Sequence, residues 1–163
     1  MTRRLKQKYL FSKQVCCLLV TSALFGACRE QTVYHSFRAL PWDAWHAHDT
    51  VDFAVQIPDS NTTYQLSVEV RNRNDYPYQN LRLYLDYATP DSLQMLPADT
   101  LNLILADSTG QWKGQGWGGL YQHSFPVKPV SIQEKGTYTF KISLAMPDEE
   151  LKGINDIGIK LEK

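Results

Sequence analysis

The chain has 163 residues, with 17 basic and 17 acidic side chains and three cysteines. Balanced charge gives no basic surface for nucleic acid, and so few cysteines make no disulfide framework. Five of the basic residues, Arg3, Arg4, Lys6, Lys8 and Lys13, open the chain with no acid among them; residues 28–163 keep 12 basic against 17 acidic, a net charge of −5, which also argues against a polybasic membrane-binding face.

The charged start leads into an apolar run, "VCCLLVTSALFGA", from Val15 to Ala27. A membrane span needs about 20 apolar residues, so this run is too short to be one. A basic start, a short apolar middle and a small-residue end predict an export signal over 1–27. Its last residues, "LFGAC", put Gly26 and Ala27 directly before Cys28. That resembles the lipobox of bacterial lipoproteins, with Phe25 where Leu is usual and Leu24 one position further out. Cys16 and Cys17 would leave with the signal. Cys28 would then stand alone, and a lone cysteine in an exported chain cannot form an internal disulfide. Lipidation at Cys28 accounts for it. Each buried acyl CH₂ is worth about 0.8 kcal/mol, so several chains anchor stably where one does not. The competing reading is an ordinary secretory signal cut near a cysteine; it leaves the thiol unexplained.

Residues 28–49 show no strand alternation and are expected to act as a tether and lead-in. The tryptophans of "LPWDAWHAHD" suggest that this segment docks onto the domain that follows. From residue 50 to 163 alternation is clear. Val51, Phe53, Val55 and Ile57 share one face, as do Tyr64, Leu66, Val68 and Val70. Leu81, Leu83, Leu85 and Tyr87 repeat the pattern, followed by Leu101, Leu103 and Leu105. Tyr138, Phe140, Ile142 and Leu144 form another set, and Ile157, Ile159 and Leu161 the last. Period 2 with one wet face means half-buried antiparallel strands. Weaker strands are expected near 111–114, 121–125 and 130–133, where Pro126 and Pro129 favour a sheet edge or loop. The predicted fold is all-β, an antiparallel, jelly-roll-like β-sandwich of roughly seven to nine strands. One short helix is expected near the C-terminus, in "MPDEELKG": Pro147 suits a first turn, the acids suit the helix dipole, and Gly153 suits a stop.

"VRNRNDYPYQNLRLYLDY" (70–87) predicts a corner between two paired strands. Asn72 and Asn74 fall on the face used by Val68 and Val70, which predicts that the strand leaves the core there. Pro77 pushes Tyr76 toward extended geometry, and Asn74 and Asp75 can start the turn. At least one of Tyr76 and Tyr78 is expected to pack back onto the sandwich.

Candidate chemistry is sparse. His46 and His48, with Asp43 and Asp49, could hold zinc only with a further ligand such as His35 or His123; an incidental pair is the simpler reading, and no metal or cofactor is expected. "GQWKGQGWGGLYQH" (110–123) lacks the setting of a phosphate loop. Tyr76, Tyr78, Trp112, Trp117 and Tyr121 could instead form a surface for a glycan or a protein partner, against the plainer reading that large aromatics fill the core. No Gly-x-Ser-x-Gly elbow is present, and the adjacent Asp148, Glu149 and Glu150 make no facing acid pair. No catalytic residue is therefore assigned. Asp-Ser/Thr-apolar triplets resembling the O-glycosylation signal of Bacteroidetes mark Thr50, Ser92 and Thr100.

"VEVRNRNDYPYQNLRLYLD", "ADTLNLILAD", "GQWKGQGWGG", "GTYTFKISLAM" and "LKGINDIGIKLEK" together resemble GldH, the gliding-motility lipoproteins of Bacteroidetes. The resemblance spans nearly all of 28–163, with Phe25 and a longer "LQMLPA" after Pro90 as departures. It implies a membrane-anchored cell-envelope lipoprotein that works with other gliding proteins and the linked type IX secretion system; the sequence leaves open whether the inner or the outer membrane carries the anchor, and a periplasm-facing domain is favoured over an outward-facing one. It implies no enzyme activity, and of its residues only Cys28 carries a role over. A lipid-anchored glycan-binding module is the alternative. The sequence does not fix the oligomeric state.

Overall fold

A computed structural model describes residues 31–90 and 96–163. Twelve strands follow one another: β1 (Thr32–Ala39), β2 (Trp45–His46), β3 (Thr50–Ile57), β4 (Thr62–Arg73), β5 (Asn80–Ala88), β6 (Leu96–Ile104), β7 (Gln115–Trp117), β8 (Leu120–Pro126), β9 (Val130–Ile132), β10 (Gly136–Leu144), β11 (Glu150–Leu151) and β12 (Ile154–Glu162). The larger sheet has the order β1-β12-β4-β8-β7, with β9 pairing the start of β4. The smaller has the order β3-β10-β5-β6, and β11 pairs β2 alone. Every pairing is antiparallel.

The two sheets form the expected sandwich because the alternating apolar sets meet between them. Phe53, Val55 and Ile57 of β3, Leu81, Leu83 and Leu85 of β5 and Phe140 and Ile142 of β10 come from one sheet. Leu66, Val68 and Val70 of β4 and Ile157, Ile159 and Leu161 of β12 come from the other; all are buried in one cluster. Burying each such side chain is worth about 1.5–3 kcal/mol. This interleaving of two inner faces is the usual sandwich core.

Four local expectations are overturned. The segment after Met146 holds no helix: β11 runs extended and pairs Glu150 and Leu151 with His46 and Trp45. One or two turns of helix are marginal alone, and the extended form buries Leu151 completely. Residues 32–39, expected to be tether, form a full edge strand against β12. The corner at 74–79 does not join paired strands; it carries the chain from the larger sheet to the smaller. Nor does β4 leave the core at Asn72. That amide is fully buried, accepting from His123 Nε2 at 2.9 Å and donating to Arg73 O at 3.1 Å, so a polar pair continues the apolar face.

Candidate functional site

At one end of the sandwich β1, β4, β6 and β10 finish and β3, β5, β8 and β12 begin. All four tryptophans of the chain fall there: Trp42, Trp45, Trp112 and Trp117. Trp45 is the plug. It is buried on β2, and its Nε1 donates to Asp49 O at 3.2 Å.

Tyr76, Tyr78, Trp112 and Tyr121 are brought together as a chain of rings. Tyr76 lies 5.9 Å from Tyr78 edge to face and 6.3 Å from Trp112, and Trp112 lies 5.8 Å from Tyr121. Such spacings favour aromatic pairs beyond their burial. Tyr76 is only 4% exposed, and its hydroxyl donates to Asn80 O at 2.8 Å. Burial drives that hydroxyl's pKa upward. Tyr78 donates to Asp148 Oδ1 at 2.8 Å, a bond that holds its proton in place and raises its pKa. Gly153 packs under the corner: its φ of +89° favours glycine, and a Cβ there would sit 2.6 Å from Tyr76 N. The Tyr121 ring lies over Gly116, where a Cβ would meet it at 2.6 Å. Tyr76 therefore builds the corner, and the other three rings are half-buried around it.

Trp117 stands apart. The hairpin from β7 to β8 turns through Gly118 and Gly119, with φ of 60° and 83°. Two positive φ values in a two-residue loop are what a type I′ turn demands. The turn projects Trp117 into solvent at 90% exposure. Of the two tryptophans expected to dock this segment, Trp45 does so, whereas Trp42 is 75% exposed and was not foreseen as a surface residue. Arg73 places its guanidinium 4.2 Å from the Trp42 ring centroid and donates to Trp42 O at 3.4 Å. It also holds Asp75 through Nε at 3.1 Å, a bond that keeps the Asp75 carboxyl below its usual range. Register links the two tryptophans: Arg73 is opposite Leu120 across β4 and β8, and Leu120 is opposite Trp117 across β8 and β7. Trp42 and Trp117 thus flank one rim. Arg73 Nη1 and Asp148 Oδ2 are buried at this end without a hydrogen-bond partner among the described residues. The only sequence signal for Trp42 was its place between Pro41 and Asp43, a setting that favours a surface bend over a strand.

The histidines lie apart from each other in function. His46 and His48 stack at 5.8 Å, His35 meets Glu69 at 2.8 Å on the outer face of the larger sheet, and His123 meets Asn72. Among the described residues no three metal-type side chains converge. Thr50 and Thr100 are exposed. Cys28, Ser92 and the "LQMLPA" insertion's first residues lie outside the described residues.

The fold and this end define an all-β sandwich module whose displayed chemistry is aromatic. The family model described as "GldH lipoprotein" matches residues 32–161. The chain belongs to the GldH lipoprotein family. It is 31% identical to "Gliding motility lipoprotein GldH homolog" of Christiangramia forsetii over 157 residues, covering 91% of this chain and 94% of that protein. It is 29% identical to "Gliding motility lipoprotein GldH" of Flavobacterium johnsoniae over 153 residues, covering 90% and 94% respectively. A solved family 35 carbohydrate binding module from Clostridium thermocellum matches at a TM-score of 0.40 and 9% identity, covering 81% of this chain and 98% of that one. So loose a likeness carries no ligand and no topology.

Proposed function

We propose that this chain is a lipid-anchored cell-envelope protein that supports gliding motility and the linked type IX secretion machinery, acting by contact with partner proteins and not by catalysis. The observation that carries the reading is the exposed pair Trp42 and Trp117, displayed together at one end of the sandwich. The loops and strand ends here carry Asp43, Asp49, Asp75, Asp107, Asp148 and Glu149 against Arg73, Lys113 and Lys152, an excess of acid that disfavours an anionic lipid surface and suits a protein partner. Membership of a family whose relatives are named gliding motility lipoproteins supports the cellular role.

The test is a Trp42→Ala, Trp117→Ala double variant expressed as the anchored protein in its own cells. Both rings are solvent-exposed, so abundance should stay at the parental level while surface gliding, or cargo secretion in a strain that does not glide, is lost. A double variant that glides and secretes like the parent overturns the reading. The exposed tryptophans also fit the alternative, a glycan-binding module; co-sedimentation with purified peptidoglycan that disappears in the same variant would select it.

A further inference from the structure

The free edge of β6 sits in a groove between the two sheets. β6 ends the smaller sheet: it pairs β5 on one side, and among the described residues no strand lies on the other. Which of its backbone groups face outward follows from β5. Arg82 O accepts from Ala145 N at 3.0 Å, and Arg82 N meets Met146 Sδ at 3.3 Å, so the Arg82 backbone is turned away from β6. Arg82 is opposite Asn102. In an antiparallel ladder such a residue belongs to a non-bonded pair, so the N–H and C=O of Asn102 point out of the sheet. By alternation those of Thr100 and Ile104 do too.

The opposite wall is β8. β7 covers only Leu120–Gln122 of that strand, so among the described residues no strand pairs its edge from His123 onward. Between the walls lies a groove of about 500 Å³ lined by Asn102, Ile104, Lys113, His123 and Phe125, which continues past Thr100 and Val127 for about 360 Å³. One end is closed where Lys113 N donates to Leu105 O at 2.9 Å. The other is closed by the Lys128–Asp99 ion pair at 3.3 Å. Five residues, Thr100–Ile104, lie between, about 17 Å of strand.

Natural sheets blunt their free edges with charge, proline or short length. The other terminal strands here do so: β7 has three residues, β3 carries Asp52 at its middle, and β1 carries His35 and Arg38. β6 carries Pro97 and Asp99 at its start, but "TLNLI" at 100–104, the stretch that lines the groove, has neither charge nor proline, and Ile104 is 42% exposed. An unblunted row of backbone donors and acceptors, walled on its far side, fits a polypeptide backbone.

We propose that this groove accepts an extended strand of a partner protein, added to the edge of β6. Its backbone would pair with Thr100, Asn102 and Ile104, as in other strand-addition complexes. Alternate side chains would lean inward toward Phe125 and should be apolar, and an acidic residue would suit the Lys113 end. The site is distinct from the tryptophan rim, so neither reading depends on the other.

The test is photo-crosslinking of the full anchored chain in its own cells. A photoreactive residue replaces Thr100 or Ile104 on β6, or Asp52 on β3 as the control edge. The expected result is a discrete adduct to another protein from the β6 positions and none from Asp52. Asn102→Pro deletes the outward N–H without touching the β5 ladder and should cut adduct yield at least about fivefold. Asn102→Ala keeps the N–H and should leave the yield unchanged. Lys113→Glu, on an exposed side chain, should lower it independently should the proline variant fail to accumulate. The proposal is overturned by no adduct, by equal adducts from Asp52, by an adduct made only of two copies of this chain, or by yields indifferent to both Asn102→Pro and Lys113→Glu.

Discussion

Tyr76 is a corner builder, and truncating it should unfold rather than blunt the protein. Tyr76→Ala removes a ring that is 4% exposed and packed against Tyr78 and Trp112, and leaves Asn80 O without its 2.8 Å donor. Large aromatic-to-alanine changes in cores cost about 3–5 kcal/mol. Tyr76→Phe keeps the ring and loses only the hydroxyl bond, about 1 kcal/mol. For a domain of this size each kcal/mol is worth about 3 °C in Tm, so the expected losses are about 12 °C and about 3 °C. Urea unfolding followed by tryptophan fluorescence reads both, since Trp112 lies beside the ring. An alanine variant within about 1 kcal/mol of the parent would refute the packing argument. A phenylalanine variant as weak as the alanine one would refute it differently, by placing the stability in the hydrogen bond.

Gly153→Ala forces a side chain into left-handed backbone and against the Tyr76 main chain; thermal melts should show a loss of about 3 kcal/mol, and a neutral result would mean the corner can shift. His123 titrates below its ordinary 6.5 because burial opposes its charge. Below about pH 6.5 the unfolded chain therefore binds more protons than the folded one, and stability should fall as pH drops until the buried ring is itself protonated. Urea midpoints at about pH 7.5 and about 5.5, compared with those of His123→Gln, isolate the effect, and an unchanged difference between the two proteins would refute it. Cys28→Ser should move the protein from the membrane to the soluble fraction, because no acyl chain could then anchor it; membrane retention after high-salt washing would argue for another attachment.

Strands β3, β5, β10 and β12 were legible because one face of each is wholly apolar and the other wet. β1 was not, because neither of its faces is clean: Val33, His35 and Phe37 alternate with Tyr34, Ser36 and Arg38. Its place comes from pairing with β12, and from Phe37 lying against Gly158 with the Arg71 guanidinium 3.8 Å from its ring centroid. The acids and proline of 147–150 carried a true local helix preference that a tertiary contact overrode, since Leu151 reaches the core only as strand. The strand expected at 111–114 lies instead at 115–117. Asp107 Oδ1 accepts from Thr109 N, Thr109 Oγ1 and Gln111 N and ties the preceding residues into a tight loop. At the candidate site the sequence showed which residues were aromatic. It did not show that Tyr76 turns inward while Trp42 and Trp117 turn outward, which depends on Arg73 and on a glycine turn.

β12 occupies the last residues of the chain, yet it lies inside the larger sheet, between β1 and β4. β1 therefore has no hydrogen-bonded strand partner among the described residues until 154–162 are in place, more than a hundred positions later. Contacts of such separation slow folding. A truncation that stops short of Ile154 would leave β1 and β4 as two raw edges facing a gap one strand wide.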